Sequence, residues 1–166
     1  MPFTPFHLGP GLVFGIVLFR WLDFPTFITA SVVVDLRATL VFFGILDGRL
    51  HGPLHTFVFG TTLAIVLSAG VYSSKSGLNR LLAPFQFDQP RAWRPILTAA
   101  LGGVSLHIVL DSILYTDIRP FYPTSYNPFF GLLSTPTVYG LCVVALAAGG
   151  VAYGVSLRFP RYLLGE

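Results

Sequence analysis

The sequence predicts an all-α fold, a polytopic transmembrane helical bundle of about five spans, and three observations predict it. Of the 166 residues, 54% are hydrophobic and only 10% charged, where soluble domains carry roughly 25% charged residues. Mean hydropathy is +0.74. The apolar runs are long and unbroken, with no two-residue alternation. Hydrocarbon solvates no backbone amide, so a spanning segment is either a helix or part of a closed barrel, and continuous runs select the helix.

A span needs about 20 apolar residues. Residues 8–22 form a short first candidate that closes on Arg20, Trp21, Leu22 and Asp23. Residues 25–46 follow, with Pro25 suited to a first helical turn, where a missing N–H costs nothing. Asp35 and Arg37 interrupt this run, so it is expected to break there into a span and a short half-helix. Residues 53–72 make the third span, opened by Gly52 and Pro53. Residues 73–94 change character, with Ser73, Ser74, Lys75, Ser76, Gly77, Pro84 and Pro90, and are expected to be a loop. The fourth span is 95–114, introduced by Pro95. Residues 115–134 mix aromatics with Pro120, Pro123, Asn127 and Pro128, which predicts an ordered loop lying at the membrane interface. The fifth span is 136–157. Its Ala147, Ala148, Gly149, Gly150 and Gly154, like Gly11 and Gly15 in the first, would let backbones approach closely in ordinary bundle packing.

The whole chain, 1–166, reads as one integral membrane domain. Cys142 is the sole cysteine, which excludes an internal disulfide and a cysteine-based metal site. The N-terminal residues lack a basic stretch, so no cleaved signal peptide is expected. The net charge of +3 is not gathered into a basic stripe, so nucleic acid is not an expected partner. The charges serve better as topology signals. With Lys75, Arg80, Arg91 and Arg94 in a cytoplasmic 73–94 loop, Arg20, Arg158 and Arg161 fall on the same side, and Arg37, Arg49 and Arg119 on the other. The N-terminus is then outside and the C-terminus inside.

That topology gathers all four histidines into the outer leaflet. His7 opens the first span, His51 and His55 open the third, and His107 and Asp111 lie four apart in the outer half of the fourth. Asp35 lies in the second, where a carboxylate costs about 2.5–3.5 kcal/mol at mid-helix and normally faces a partner or a cavity. Arg37 is two residues on and faces another way, so it is not an obvious partner. Pro53 places His51 ahead of the helix, so ideal i, i+4 geometry with His55 is not assured. Together the six residues offer imidazole nitrogens and carboxylate oxygens, a donor set suited to zinc or a similar divalent metal. A buried His–Asp hydrogen-bond network is the alternative. No nucleophile elbow, phosphate-binding glycine loop or dinucleotide fingerprint is present.

Six segments in order resemble motifs of the YdjM-like family of predicted membrane-bound metal-dependent hydrolases. They are Met-Pro-Phe-Thr-Pro-Phe-His-Leu-Gly-Pro-Gly at 1–11, Ser-Val-Val-Val-Asp at 31–35, and Leu-His-Gly-Pro-Leu-His-Thr at 50–56. Leu-His-Ile-Val-Leu-Asp-Ser at 106–112, Asp-Ile-Arg-Pro-Phe at 117–121 and Asn-Pro-Phe-Phe-Gly-Leu at 127–132 continue the series. The resemblance implies that His7, Asp35, His51, His55, His107 and Asp111 are the metal ligands and catalytic groups. It also implies residence in a prokaryotic cytoplasmic (inner) membrane. Two positions depart from the family pattern: Arg37 stands where an acid is common, and Gly52 where a basic residue is usual.

Two functions follow as expectations. In the first, the protein is a membrane-embedded hydrolase of a lipid or lipid-linked ester or phosphoester. Zinc would activate water, Asp35 or Asp111 would be the general base, and Arg119 would hold an anionic headgroup. In the second, it is a non-catalytic accessory subunit of a larger membrane complex that keeps the hydrolase-like fold, and Arg37 is the feature favouring it.

Overall fold

A computed structural model describes residues 5–158, which leaves Arg161 and the first four residues of the N-terminal motif outside the described residues. Among the described residues there are six α-helices and no strand. They are α1 (Pro5–Val17), α2 (Phe24–Val33), α3 (Leu36–Phe42), α4 (Phe57–Leu82), α5 (Trp93–Leu114) and α6 (Thr135–Arg158). Helices α4, α5 and α6 are long and apolar enough to cross a membrane, and α2 with α3, bent by 40° at their junction, make a fourth if the pair counts as one span. Helix α1 is apolar but has only 13 residues, about 20 Å at 1.5 Å per residue. The run 8–22 is therefore not one long helix; it leaves α1 after Val17 and turns through residues 18–22.

Helix α5 is the centre of the bundle. Half of its apolar window is buried, against 17% for α4 and α6, whose outer faces are left for an apolar surrounding. Ala30 and Val34 of the second run, Ala64 of α4, and Ala100, Val104 and Ile108 of α5 form the main core cluster. The side chains are small because the backbones are close: a Cβ on Gly103 would collide with the Phe27 carbonyl of α2. Gly9 plays the same part between α1 and the Cys142 carbonyl of α6.

The break between α2 and α3 has a hydrogen-bond cause. Asp23 starts α2 by accepting from Thr26 N at 3.2 Å and Thr26 Oγ1 at 2.6 Å, with Pro25 in the first turn. At the far end the Ser31 carbonyl, which an unbroken helix would pair with Asp35 N–H, is taken instead by His107 Nδ1 at 2.8 Å. Asp35 N–H turns to Val32 O at 3.1 Å and the chain bends. The expected half-helix exists, and a residue of the polar cluster holds it open.

The expected 73–94 loop is also corrected. Residues 73–82 are not loop but the last part of α4, and the connection is confined to 83–92. The serines taken for breakers stay helical by donating to their own helix, Ser73 Oγ to Ala69 O at 2.8 Å and Ser74 Oγ to Gly70 O. Lys75 is not a loop cation either: it is 1% exposed and pairs with Asp23 inside the bundle. The 115–134 segment consists of turns and irregular backbone. Asn127 Nδ2 donates to Ser112 O at 2.9 Å, Gly131 N to Ile113 O at 3.0 Å, and Phe57 N to Pro120 O at 2.9 Å.

Candidate metal centre

Three separate constraints converge at the end of the bundle opposite the 83–92 connection. The α2–α3 bend delivers Asp35. A single 3₁₀ turn, Pro53–His55, delivers His55 just before α4. The last two turns of α5 deliver His107 and Asp111. All four side chains are at most 2% exposed. One ligand atom from each of Asp35, His55, His107 and Asp111 lies within 4.8 Å of every other.

The spacing inside that group is informative. His55 Nε2 is 3.3 Å from Asp35 Oδ1 and 3.4 Å from Asp111 Oδ2, and His107 Nε2 is 3.5 Å and 3.4 Å from the same two oxygens. Zinc–nitrogen and zinc–oxygen bonds of about 2.0–2.2 Å in a tetrahedron place ligand atoms about 3.3–3.6 Å apart, a range that holds these four N···O separations, while the histidine–histidine and aspartate–aspartate pairs lie within 4.8 Å. Hydrogen-bonded N···O pairs prefer about 2.9 Å. Neither Nε2 atom makes a hydrogen bond of acceptable geometry, nor does either oxygen of Asp111, although all are buried. Buried polar atoms almost always find partners. Donor atoms gathered this closely, at separations longer than ordinary hydrogen bonds, fit a shared cation better than they fit a closed network.

The surrounding contacts set the donors. Because the Ser31 carbonyl can only accept, His107 Nδ1 must donate a proton to it, which leaves Nε2 as the ring nitrogen that faces the group. His7 stacks on His107 with ring centroids 4.1 Å apart and brings Nε2 to 3.2 Å from Asp111 Oδ1, the oxygen directed away from the other three ligands. Burial disfavours a charged His55, yet the neighbouring carboxylates of Asp111 and Asp35 prevail and hold its pKa above the ordinary histidine value. A cation supplied to the group would take over the charge compensation that a proton on His55 otherwise provides.

Each expected site residue can now be placed. Asp35, His55, His107 and Asp111 meet; His7 abuts Asp111 from outside that group. His51 is not among the four. Its ring stands edge-on to His55 at 5.1 Å, and its Nδ1 bonds both oxygens of Asp117 at 3.0 and 3.1 Å. Arg119 lines a cavity of about 450 Å³ whose wall includes His55, His51, Asp117, Arg37 and Arg49. Arg37 does not pair with Asp35; its Nη1 donates to the Arg49 carbonyl at 2.6 Å. Arg37 and Gly52 meet here, since a Cβ at Gly52 would stand 2.7 Å from Arg37 Nη1. Residue 37 fills the space that a side chain at 52 would need.

Sequence reading did not name Asp117, Arg37 or Arg49 as site residues, although Asp117 lies inside a quoted motif and Arg37 stood out as a cation close to Asp35. The fold and site define a bundle of membrane-length helices with a buried two-histidine, two-aspartate cluster. Comparison with protein-family models, curated proteins and solved structures gives no match for this chain.

Proposed function

We propose that the protein is a membrane-embedded metal-dependent hydrolase acting on an ester or phosphoester of a lipid or lipid-linked substrate. The observation that carries this reading is the set of N···O separations of 3.3–3.5 Å among four buried donors with no hydrogen bonds between them. Asp35, His55, His107 and Asp111 would hold one divalent cation, and the mixed nitrogen and oxygen donors favour zinc. The chemistry that such an ion supplies is the activation of water for attack at neutral pH. His107 is kept in the ligating tautomer by the Ser31 carbonyl. Asp35 and Asp111 offset the charge and stand ready to accept a proton from water. His55 and His51 both line the cavity, which gives a substrate its way to the cluster. Arg37, the residue that favoured a non-catalytic accessory role, faces that cavity and not the cluster, which supports the hydrolase.

In this reading α1 and the bent α2–α3 pair complete the five crossings, and the site lies in the outer leaflet of a prokaryotic cytoplasmic membrane. The exposed Arg80, Arg91 and Arg94 sit at the opposite, cytoplasmic end. The deciding measurement is metal content of detergent-purified protein after exhaustive dialysis, with one zinc per chain expected. Protein that holds no metal and takes up neither zinc nor manganese would end the hydrolase proposal. For orientation, Ser125→Cys should react with an impermeant thiol reagent from outside intact cells, and Asp88→Cys only after permeabilisation; the reverse pattern inverts the topology.

A further inference from the structure

We infer that the cavity beside the metal centre is a phosphate subsite built by Arg37, Arg49 and Arg119, so that the group presented to the cluster is a phosphate ester. The cavity holds about 450 Å³, within the range of about 300–1,000 Å³ typical of small-ligand sites. Three arginines line it, and among the described residues no carboxylate pairs with any of them. The one carboxylate in the wall, Asp117, is engaged by His51. The wall therefore carries an excess of positive charge that the protein itself does not neutralise.

That excess is costly beside an apolar surrounding unless it meets an anion. A guanidinium presents five N–H donors in a planar fork that matches phosphate oxygens. A neutral carboxylic ester would leave all three cations unmet, whereas a phosphomonoester brings up to two negative charges. Arg37 is held in position for such a ligand, because its bond to the Arg49 carbonyl uses one donor and leaves the others available. Gly52 is what lets it lie there, because any larger residue would intrude on the guanidinium. A second feature belongs to the same space. His51 lines the cavity, its side chain is 6% exposed, and its Nε2 has no hydrogen-bond partner. Phe59, Ile118 and Tyr122 supply an apolar part of the wall for the chain that carries the phosphate.

Binding of the anion stands on the cavity wall alone, while cleavage rests on the proposed hydrolase chemistry. In that cleavage the water oxygen bonds to phosphorus and the P–O bond to the lipid breaks with its electron pair. One water proton ends on the lipid oxygen and the other on the released phosphate, giving an alcohol and inorganic phosphate.

The test uses detergent-purified full-length protein, with and without chelator treatment, titrated calorimetrically with inorganic phosphate and with micelles containing dioleoyl phosphatidic acid or dioleoylglycerol. Wild type should prefer phosphatidic acid to the neutral lipid. Arg49→Ala and Arg119→Ala should each weaken that binding by about tenfold or more, the scale of one charge-assisted contact. Gly52→Val, which alters no charge, should weaken it similarly by displacing Arg37, and Arg80→Ala at the other end of the bundle should not. Competition by inorganic phosphate at similar affinity would show that free phosphate suffices; binding of the lipid alone would assign the site to a headgroup, and both support the subsite. Equal binding of the two lipids, or equal losses in Arg49→Ala and Arg80→Ala, would overturn it. Metal content separates the two proposals: arginine-dependent phosphate binding without metal sinks the hydrolase and keeps the subsite, and bound metal without phosphate preference does the opposite.

Discussion

Two polar clusters are buried in this apolar bundle, towards opposite ends, and they close their hydrogen bonds in different ways. At one end Asp23 accepts from Thr26 and pairs with Lys75. Beside that pair, Gln89 accepts from Phe24 N at 2.6 Å and donates to Phe19 O and Leu22 O at 2.9 and 3.0 Å. Asn79 Nδ2 adds a bond to Gln89 O at 2.9 Å, and Asn79 Oδ1 is the single side-chain atom of this group left without a partner. At the other end His7, His55, His107 and Asp111 leave several buried atoms without a hydrogen bond while the three histidines stand 3.2–3.4 Å from Asp111. The contrast separates two uses of polarity in an apolar setting. The first cluster joins the start of α2 to α4 and to the 83–92 connection, and with every side-chain atom but Asn79 Oδ1 partnered it needs nothing further. The second holds its donors apart, an arrangement that makes sense when a cation completes it.

Removing a ligand should produce the largest effect. His107→Ala deletes a nitrogen donor in a fully buried position where water cannot replace it. Bound metal should fall below detection by mass spectrometry, and added zinc, expected to raise the melting temperature of the wild type, should leave that of the variant unchanged. Asp111→Asn keeps an oxygen but loses the charge, so metal should drop strongly and less completely. Retention of one metal per chain in His107→Ala would reduce this cluster to an open version of the other.

The opposite cluster should respond in stability and not in metal. Lys75→Ala leaves Asp23 buried without its cation, and breaking a buried pair from one side costs about 3–5 kcal/mol. The variant should melt well below the wild type, yet its folded fraction should still bind one metal. Lys75→Met combined with Asp23→Asn should recover much of the loss, because no uncompensated charge remains. If Lys75→Ala strips the metal without lowering stability, the two ends are coupled and the division between them fails.

The sequence exposed the second cluster far better than the first, for a physical reason. Asp35, His55, His107 and Asp111 are polar residues inside apolar runs, so each stands out against its neighbours, and the i, i+4 spacing of His107 and Asp111 survives into the fold. Asp23 and Lys75 sit at the edges of such runs, where charges are ordinary, and their pairing across 52 residues leaves no local trace. Ser73, Ser74 and Ser76 misled in the same way, since a serine that bonds its own helix and one that ends it look alike in sequence. His51 shows the limit of motif reading. Its distance of four residues from His55 suggests a ligand pair, but Pro53 and the 3₁₀ turn send its ring to Asp117. Nor does the sequence reveal that Arg37 and Arg49 share a wall with Arg119, because that depends on the bend at Asp35.

The smallest effect should come from His7, and it tests how far the open cluster extends. Its Nε2 faces Asp111 Oδ1 at 3.2 Å, while the other oxygen, Oδ2, faces His55 and His107 at 3.4 Å. A residue so placed orients the Asp111 carboxylate from behind and, by stacking on His107, limits that ring's rotation. Contacts of this kind typically change metal affinity by about 10–100-fold when removed, without abolishing the site. His7→Ala should therefore still reach one metal per chain at saturation but release it to a weaker chelator, read by competition with a metallochromic indicator. His7→Gln, which can offer an amide N–H to the same oxygen, should recover part of the affinity. A loss as complete as that of His107→Ala would instead make His7 a ligand in its own right, and the centre would then take five donors, with Asp111 offering an oxygen on each side.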